Sequence, residues 1–422
     1  MTPLTGNRKL HWMRIARFGA ALGMTMPLMG SPVTAPVGDR AASLETRARE
    51  ETDAGQYAAA IRDANAAARI YAAAGDTRKQ GRVVNQVGLA QLYSADYRGA
   101  TTTLASAIAL ARAAGDGEGH AEAATNLANV DFFLGRYAEA SRLYDVALAI
   151  ADAHHGEEWT PRRRRILFVN KATLDQRLGR DEEALGWYRQ AQAAGPDLRP
   201  REQAQILMNL GVLYRHLGDP VKALKQYDAA QELFAREQQL DSELAVRKNR
   251  GIVLALDLGQ LEAARSTFSE VLERATRADS GQQMLQARLY RGETELRLGQ
   301  LDPAYEDFAT SLGSAVSLHT TEEEWKALYG LARTEFRRGD VAAARQHLER
   351  AVGVIEGMRE AIRVPALKSD YFNDKRDVYD ALISIELPGC DPQRLFALIE
   401  RSHSRAWRER LGLREEVSLR AV

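Results

Sequence analysis

The residues best suited to chemistry in this chain are few and poorly spaced for it. His154, His155, Glu157 and Glu158 share the stretch HHGEEWTP. Imidazoles and carboxylates are metal-ligating groups and could hold a metal loosely, but the stretch reads as a flexible polar loop. Arg162 to Arg165 open a helix after Pro161. They could meet a phosphate or an acidic partner, and they read as an exposed charged turn. Cys390 is the single cysteine, which excludes an intrachain disulfide and any multi-cysteine metal site. It reads as a small loop residue. The chain has no Gly-rich phosphate loop, no HExxH and no serine nucleophile elbow. No catalytic residue, metal or cofactor is expected. What remains is a row of amides: Asn126, Asn170 and Asn209. Each amide offers a donor and an acceptor. A row of them could hold an extended segment without reading its side chains, or could tie adjacent helices together.

Those amides are placed by a repeat. Take Gly218 of "LGDP" as a marker. Equivalent turns fall at Gly55, Ala95, Gly135, Gly179, Gly218, Gly259, Gly299 and Gly339, in steps of 40, 40, 44, 39, 41, 40 and 40 residues. Five residues after the marker stands an alanine in all eight units: Ala60, Ala100, Ala140, Ala184, Ala223, Ala264, Ala304 and Ala344. Nine after it come Ala64, Leu104, Tyr144, Tyr188, Tyr227, Phe268, Phe308 and Leu348. Seven before it come Ala48, Gly88, Ala128, Ala172, Gly211, Ile252, Gly292 and Ala332. The marker ends a first helix in the left-handed region that glycine enters cheaply. The small residue upstream lets two helices approach, and the ring one turn beyond the alanine fills the cleft between them. Each unit is thus expected to be an antiparallel helical hairpin.

The chain of 422 residues carries 57 basic and 57 acidic side chains. A balance of zero gives no whole-molecule attraction to nucleic acid or anionic membrane. The start, "MTPLTGNRKLHWMRIARFGAALGMTMPLMGSPVTAPVGD", runs from basic to apolar to small residues. That is the layout of an export signal, with an apolar run too short to span a bilayer. Residues 1–38 are therefore expected to be a signal peptide that directs export to the periplasm or medium, or else a disordered basic tail on a cytoplasmic protein.

Small residue, glycine, alanine and aromatic at these offsets resemble the tetratricopeptide repeat (TPR). The spacing of about forty residues is similar to the long-form repeats of kinesin light chains and of bacterial peptide-sensing regulators. The resemblance implies an all-α, right-handed superhelical solenoid of about eight hairpins over residues 39–352, with extra C-terminal helices over 353–422. It also implies a concave groove lined by first helices, in which an asparagine nine before the marker grips a peptide backbone. The groove candidates are Gln86, Asn126, Asn170, Asn209 and Arg250 at that position, with Asn129 nearby. Tyr93, Phe133, Arg177, His216, Arg297 and Arg337 stand two before the marker, and Arg215 and Arg333 lie near them. Asn85 and Asn249 count one residue out of phase and are left out of the row. The groove should be aromatic at its N-terminal end and basic from Arg177 onward, suiting a partner that is apolar at one end and acidic at the other. Thr125 with Asn129 does not supply the paired lysine and asparagine of a chaperone-type carboxylate clamp.

Beyond residue 352 the repeat stops. Glu356 and Arg359, then Phe372, Tyr379 and Leu382, then Glu400, Arg401 and Arg405 resemble the connector that follows the TPR array in CHAT-domain proteins. The peptidase domain of that family is not part of the sequence, and Cys390 does not match its nucleophile. Leu395, Leu398, Ile399, Trp407 and Leu411 could form an apolar stripe that seeks a partner. The expected function is a non-catalytic scaffold for a protein or peptide. The alternatives are the sensor part of a CHAT-type peptidase encoded separately, and a cytoplasmic peptide-responsive regulator.

Overall fold

A computed structural model describes residues 37–194, 198–360, 375–387 and 392–403. Everything described is helix or short turn, and the helices pair into right-handed arrays of hairpins. The chain packs as two compact units that divide between Arg199 and Pro200.

The first unit contains α1 (Val37–Asp53), α2 (Tyr57–Ala73), α3 (Thr77–Tyr93), α4 (Tyr97–Ala113), α5 (Gly117–Phe133), α6 (Tyr137–Ala153), α7 (Thr160–Arg177) and α8 (Asp181–Ala193). The second contains α9 (Pro200–His216), α10 (Pro220–Arg236), α11 (Leu240–Ile252), α12 (Leu261–Arg277), α13 (Gly281–Leu298), α14 (Leu301–Ser317), α15 (Thr321–Arg338), α16 (Val341–Glu360), α17 (Arg376–Glu386) and α18 (Pro392–His403). Each unit therefore holds four hairpins, odd-numbered helix before even, with α17 and α18 added to the second.

The repeat positions behave as their types require. All eight alanines five after the marker are buried, as are all eight residues nine after it. Gly211 faces the ring of Tyr227 so closely that a Cβ there would lie 2.4 Å from it. Burying a ring of this kind contributes about 1.5–3 kcal/mol, well above the roughly 1 kcal/mol that a mid-helix glycine costs. Phe308 is shared: Cβ atoms on Gly292 of its own repeat and Gly330 of the next would lie 3.2 and 2.4 Å from it.

Most helices are 17 residues long, and the turn after a second helix mirrors the turn after a first. Left-handed residues occur at the eight markers and also at Gly75, Gly115, Gln238, Asp279 and His319, about twenty residues from the nearest marker. The backbone closes seven of the eight marker turns the same way. Arg136 N–H donates to Asp131 O at 2.8 Å and Gly135 N–H to Phe132 O at 3.1 Å. Ala95 is the one marker that is not glycine, and its φ is 62°. A left-handed L-residue costs about 1–2 kcal/mol, against about 0.4–1 kcal/mol of extra chain entropy for glycine. Ala95→Gly is expected to stabilise the chain by about 0.5 kcal/mol, read as a raised urea midpoint.

One repeat departs from this pattern. After α11 the backbone widens into a π-turn over Val253–Asp257. Gln260 N–H reaches back six residues to Leu254 O, where Asp219 and Gln300 reach back five, to Tyr214 and Glu295. The turn absorbs one extra residue. Positions counted back from Gly259 across it therefore slip by one, and the small contact residue is Gly251, not Ile252. A Cβ on Gly251 would lie 2.6 Å from the Phe268 ring.

Candidate peptide-binding face

The slip changes the asparagine row. Asn126, Asn170 and Asn209 stand two residues before the contact residues Ala128, Ala172 and Gly211. Two before Gly251 is Asn249, so the fourth asparagine is in phase and Arg250 is not. Arg250 Nε instead donates to Asp228 of α10 at 3.0 Å. Sequence counting missed Asn249 because nothing in the residue types of "GIVLALD" marks a π-turn.

The rungs differ in what they already hold. In the first unit Asn126 is only 8 % exposed, and its Nδ2 donates to Asn85 Oδ1 of the preceding first helix at 2.9 Å. Asn170 Nδ2 donates to Asn129 Oδ1 at 3.2 Å, and Asn129 also accepts from Tyr144 Oη at 2.6 Å. Asn85, set aside on phase, is thus a structural partner of the row, and these two rungs tie helices one repeat apart. In the second unit Asn209 is half-buried and accepts from Gln205 of its own helix at 3.2 Å. Asn249 is also half-buried. The Gln86 amide lies against Arg49 and Glu45.

The arginines expected to make a basic groove are matched within the chain. Arg215 pairs with Asp257 at 2.5 Å. Arg297 and Arg333 both pair with Glu293, at 2.9 and 2.6 Å. Burial alone would raise the Glu293 carboxyl, but Arg333 and Arg297 hold it below the ordinary carboxylate range. Arg333 also lies over the ring of Tyr329, 5.4 Å from its centroid, and burial pushes that phenol up to about 12. Arg337 Nη1 donates to Leu296 O at 2.5 Å. His216 is half-buried at the end of α9. An acidic partner would have to displace Asp257 and Glu293 to use this charge. The carboxyl of Glu295 is also displaced, raised to about 7 by burial and by the neighbouring Asp307.

The aromatic candidates pair with rings that open the neighbouring second helices. Tyr93 is 51 % exposed and tilts against Tyr57, with centroids 6.1 Å apart. Phe133 stacks on Tyr97 at 6.1 Å. Arg177 Nε donates to Tyr137 Oη at 3.1 Å.

The other candidates turn inward. His154 Nδ1 lies 2.8 Å from Ile150 O, its ring packs on Trp159, and Trp159 Nε1 donates to Glu157 at 2.5 Å. The loop is tied down by its own side chains. Among the described residues no cluster of three or more histidine, cysteine, aspartate or glutamate side chains could hold a metal ion. The arginine run is no exposed turn either. Arg163 pairs with Glu122 at 3.2 Å, Arg164 pairs with Asp152 at 3.3 Å, and Arg165 is buried; only Arg162 is exposed. Among the described residues no helix is long and apolar enough to cross a membrane.

At the C-terminal end, Glu356, Arg359 and Tyr379 converge. Tyr379 Oη donates to Glu356 Oε1 at 2.7 Å and Arg359 Nη1 to Oε2 at 3.4 Å. Leu382 is buried beside them, and Leu398 packs into the same core instead of joining an exposed stripe, while Ile399 is exposed. Residues 1–36, Phe372, Cys390, Arg405, Trp407 and Leu411 lie outside the described residues, as do the side chains of Glu400 and Arg401.

Family models for the tetratricopeptide repeat match residues 120–158, 202–280, 252–312 and 305–358. No curated protein matches the chain. Among solved structures, the apo form of the quorum sensor NprR from B. thuringiensis is 15 % identical, with a TM-score of 0.59 over 76 % of this chain and 89 % of that one. A tetratricopeptide repeat protein from Parabacteroides merdae is 16 % identical, with a TM-score of 0.47 over 71 % and 96 %. BtubC (BKLC) from P. vanneervenii is 23 % identical, with a TM-score of 0.45 over 53 % and 92 %. Nothing among these matches points to CHAT-domain proteins in particular. The likeness to NprR extends to the fold alone; with the repeat matches and the eight hairpins it gives this chain an all-α, TPR-like solenoid fold that carries tetratricopeptide repeats over the matched residues.

Proposed function

We propose that the chain is a non-catalytic scaffold that holds an extended protein or peptide segment through asparagine amides on its first helices. The observation that carries this reading is the phase of Asn126, Asn170, Asn209 and Asn249, kept constant across the π-turn. A residue that only capped or solvated a helix would have no reason to hold that phase, since asparagine is a mediocre helix former. The paired arginines favour recognition of backbone over recognition of an acidic segment.

Asn209 and Asn249 make the cleaner test, because Asn126 and Asn170 also tie repeats together. The full chain is used to capture partners, which are identified by mass spectrometry. Asn209→Ala with Asn249→Ala is expected to lose capture while stability moves by only about 0.5 kcal/mol per site. Retained capture with a large fall in melting temperature would assign these amides to structure.

The convergence of Glu356, Arg359 and Tyr379 favours a second reading, in which the array is the sensor part of a CHAT-type peptidase encoded apart from it. Reading the coding DNA downstream for a histidine–cysteine domain tests it. Export through residues 1–38 is proposed on their sequence alone and is tested by finding a mature N-terminus near residue 31–40 in the periplasm or medium.

A further inference from the structure

Along the edge formed by the marker turns of the first unit, rings sit in register. The residue that opens a second helix meets the residue that ends the next first helix: Tyr57 with Tyr93, Tyr97 with Phe133, and Tyr137 with Arg177. The edge lies two helical turns beyond the asparagine row, since Phe133 stands seven residues past Asn126, about 10 Å along the helix. Packing does not require these rings to be wet, yet Tyr93 is half exposed. The hydroxyls of Tyr57, Tyr93 and Tyr97 make no hydrogen bond among the described residues. Asp53, exposed and in no ion pair among the described residues, lies at the Tyr57 end. Asp53 ends α1 and Tyr57 opens α2 four residues on, and burial, followed by the neighbouring Tyr57 and Asp53, raises the Tyr93 phenol.

We propose that this edge binds a proline-rich segment in the polyproline II conformation, with a basic side chain of that segment placed against Asp53. Three features fit this partner and go beyond the asparagine reading. The first is spacing. First helices of successive repeats touch through the Asn126–Asn85 and Asn170–Asn129 bonds, which sets them about 8–10 Å apart. One polyproline II turn advances about 9 Å, so one proline per turn meets one ring pair per repeat. The second is chemistry. A polyproline II backbone has no internal hydrogen bonds, and unbonded tyrosine hydroxyls supply donors to its carbonyls. Its ring faces stack on aromatic ones with little ordering cost. The third is charge. Stacked rings also suit single-stranded nucleic acid, but that needs a basic track. Here Asp53 is acidic, while Arg136 and Arg142 are paired with Asp131 and Glu139.

The test is fluorescence anisotropy of the full chain with a fluorescein-labelled peptide of nine prolines flanked by arginines. Saturable binding is expected. Tyr93→Ala with Tyr97→Ala should weaken it at least tenfold, and Asp53→Asn several-fold, with circular dichroism confirming helix content. Tyr93→Phe with Tyr97→Phe keeps the stacking and should weaken it less than the alanine pair. Asn209→Ala with Asn249→Ala, both in the second unit, should leave it unchanged, so that failure of this proposal and failure of the asparagine reading can be told apart. Equal affinity for a glycine–serine peptide of the same charge would overturn the proposal. So would unchanged binding in the tyrosine variants, or tighter binding of a ten-nucleotide oligo-dT.

Discussion

A Glu356→Ala chain is expected to lose the C-terminal cap of its second unit, at a cost of about 3–5 kcal/mol. Glu356 is the hub of a buried polar cluster. Arg359 is only 2 % exposed, and Tyr379 is fully buried against the same carboxylate. Removing the carboxylate takes a counter-charge from a guanidinium that water cannot reach, and it removes the acceptor that Tyr379 Oη uses on Glu356. Tyr379→Phe removes one hydrogen bond and should cost about 1–2 kcal/mol. The two changes combined should cost less than their sum, because the phenol loses the same partner in both. Hydrogen exchange across α15 to α17 is the direct measurement: the alanine variant should open these helices while α9 to α12 stay protected. Lys375 adds to the same end, buried over the Trp325 ring at 5.3 Å and 3.7 Å from Glu322. The cap is therefore pinned by polar contacts as well as by its apolar core.

The second large effect is expected at Phe308. Its ring fills the cleft beside Gly292 in its own repeat and also touches Gly330 in the next. Phe308→Ala should cost about 3–5 kcal/mol, because two glycines leave nothing that can collapse into the space. Stability in a stacked array is a sum of intrinsic and neighbour terms, and this ring contributes to both. Phe308→Leu should cost markedly less, since Leu104 and Leu348 occupy the same position in two other repeats. Urea unfolding of the three chains side by side checks the ordering.

The hairpins were legible because their signal is residue type at fixed spacing. Gly211, Gly218, Ala223 and Tyr227 each do a job that few other residues can do. The turns after the second helices were hidden for the opposite reason. Gln238, Asp279 and His319 adopt the left-handed region there without glycine to announce it. The π-turn was invisible too, and it carried Asn249 out of the counted row and Arg250 into it. Side-chain commitments across repeats were out of reach. Spacing placed Arg215 and Arg333 on the first helices, but their partners Asp257 and Glu293 come from packing across repeats, whereas the Arg297–Glu293 pair, four residues apart on α13, was open to sequence reading and was not drawn. The division between Arg199 and Pro200 left only a faint mark, a second helix of 13 residues where most have 17.

The widened turn after α11 has a practical consequence for anyone building chimeras from this chain. One residue inserted into an α-helix would rotate everything on its far side by about 100°. Here the surplus is taken up inside five residues, and Gly251 still meets Phe268 as Gly211 meets Tyr227. Modules cut at a fixed length of forty would carry that surplus into their new host and misalign its faces. Cut at the left-handed residues, each module keeps its own internal correction and can be moved whole.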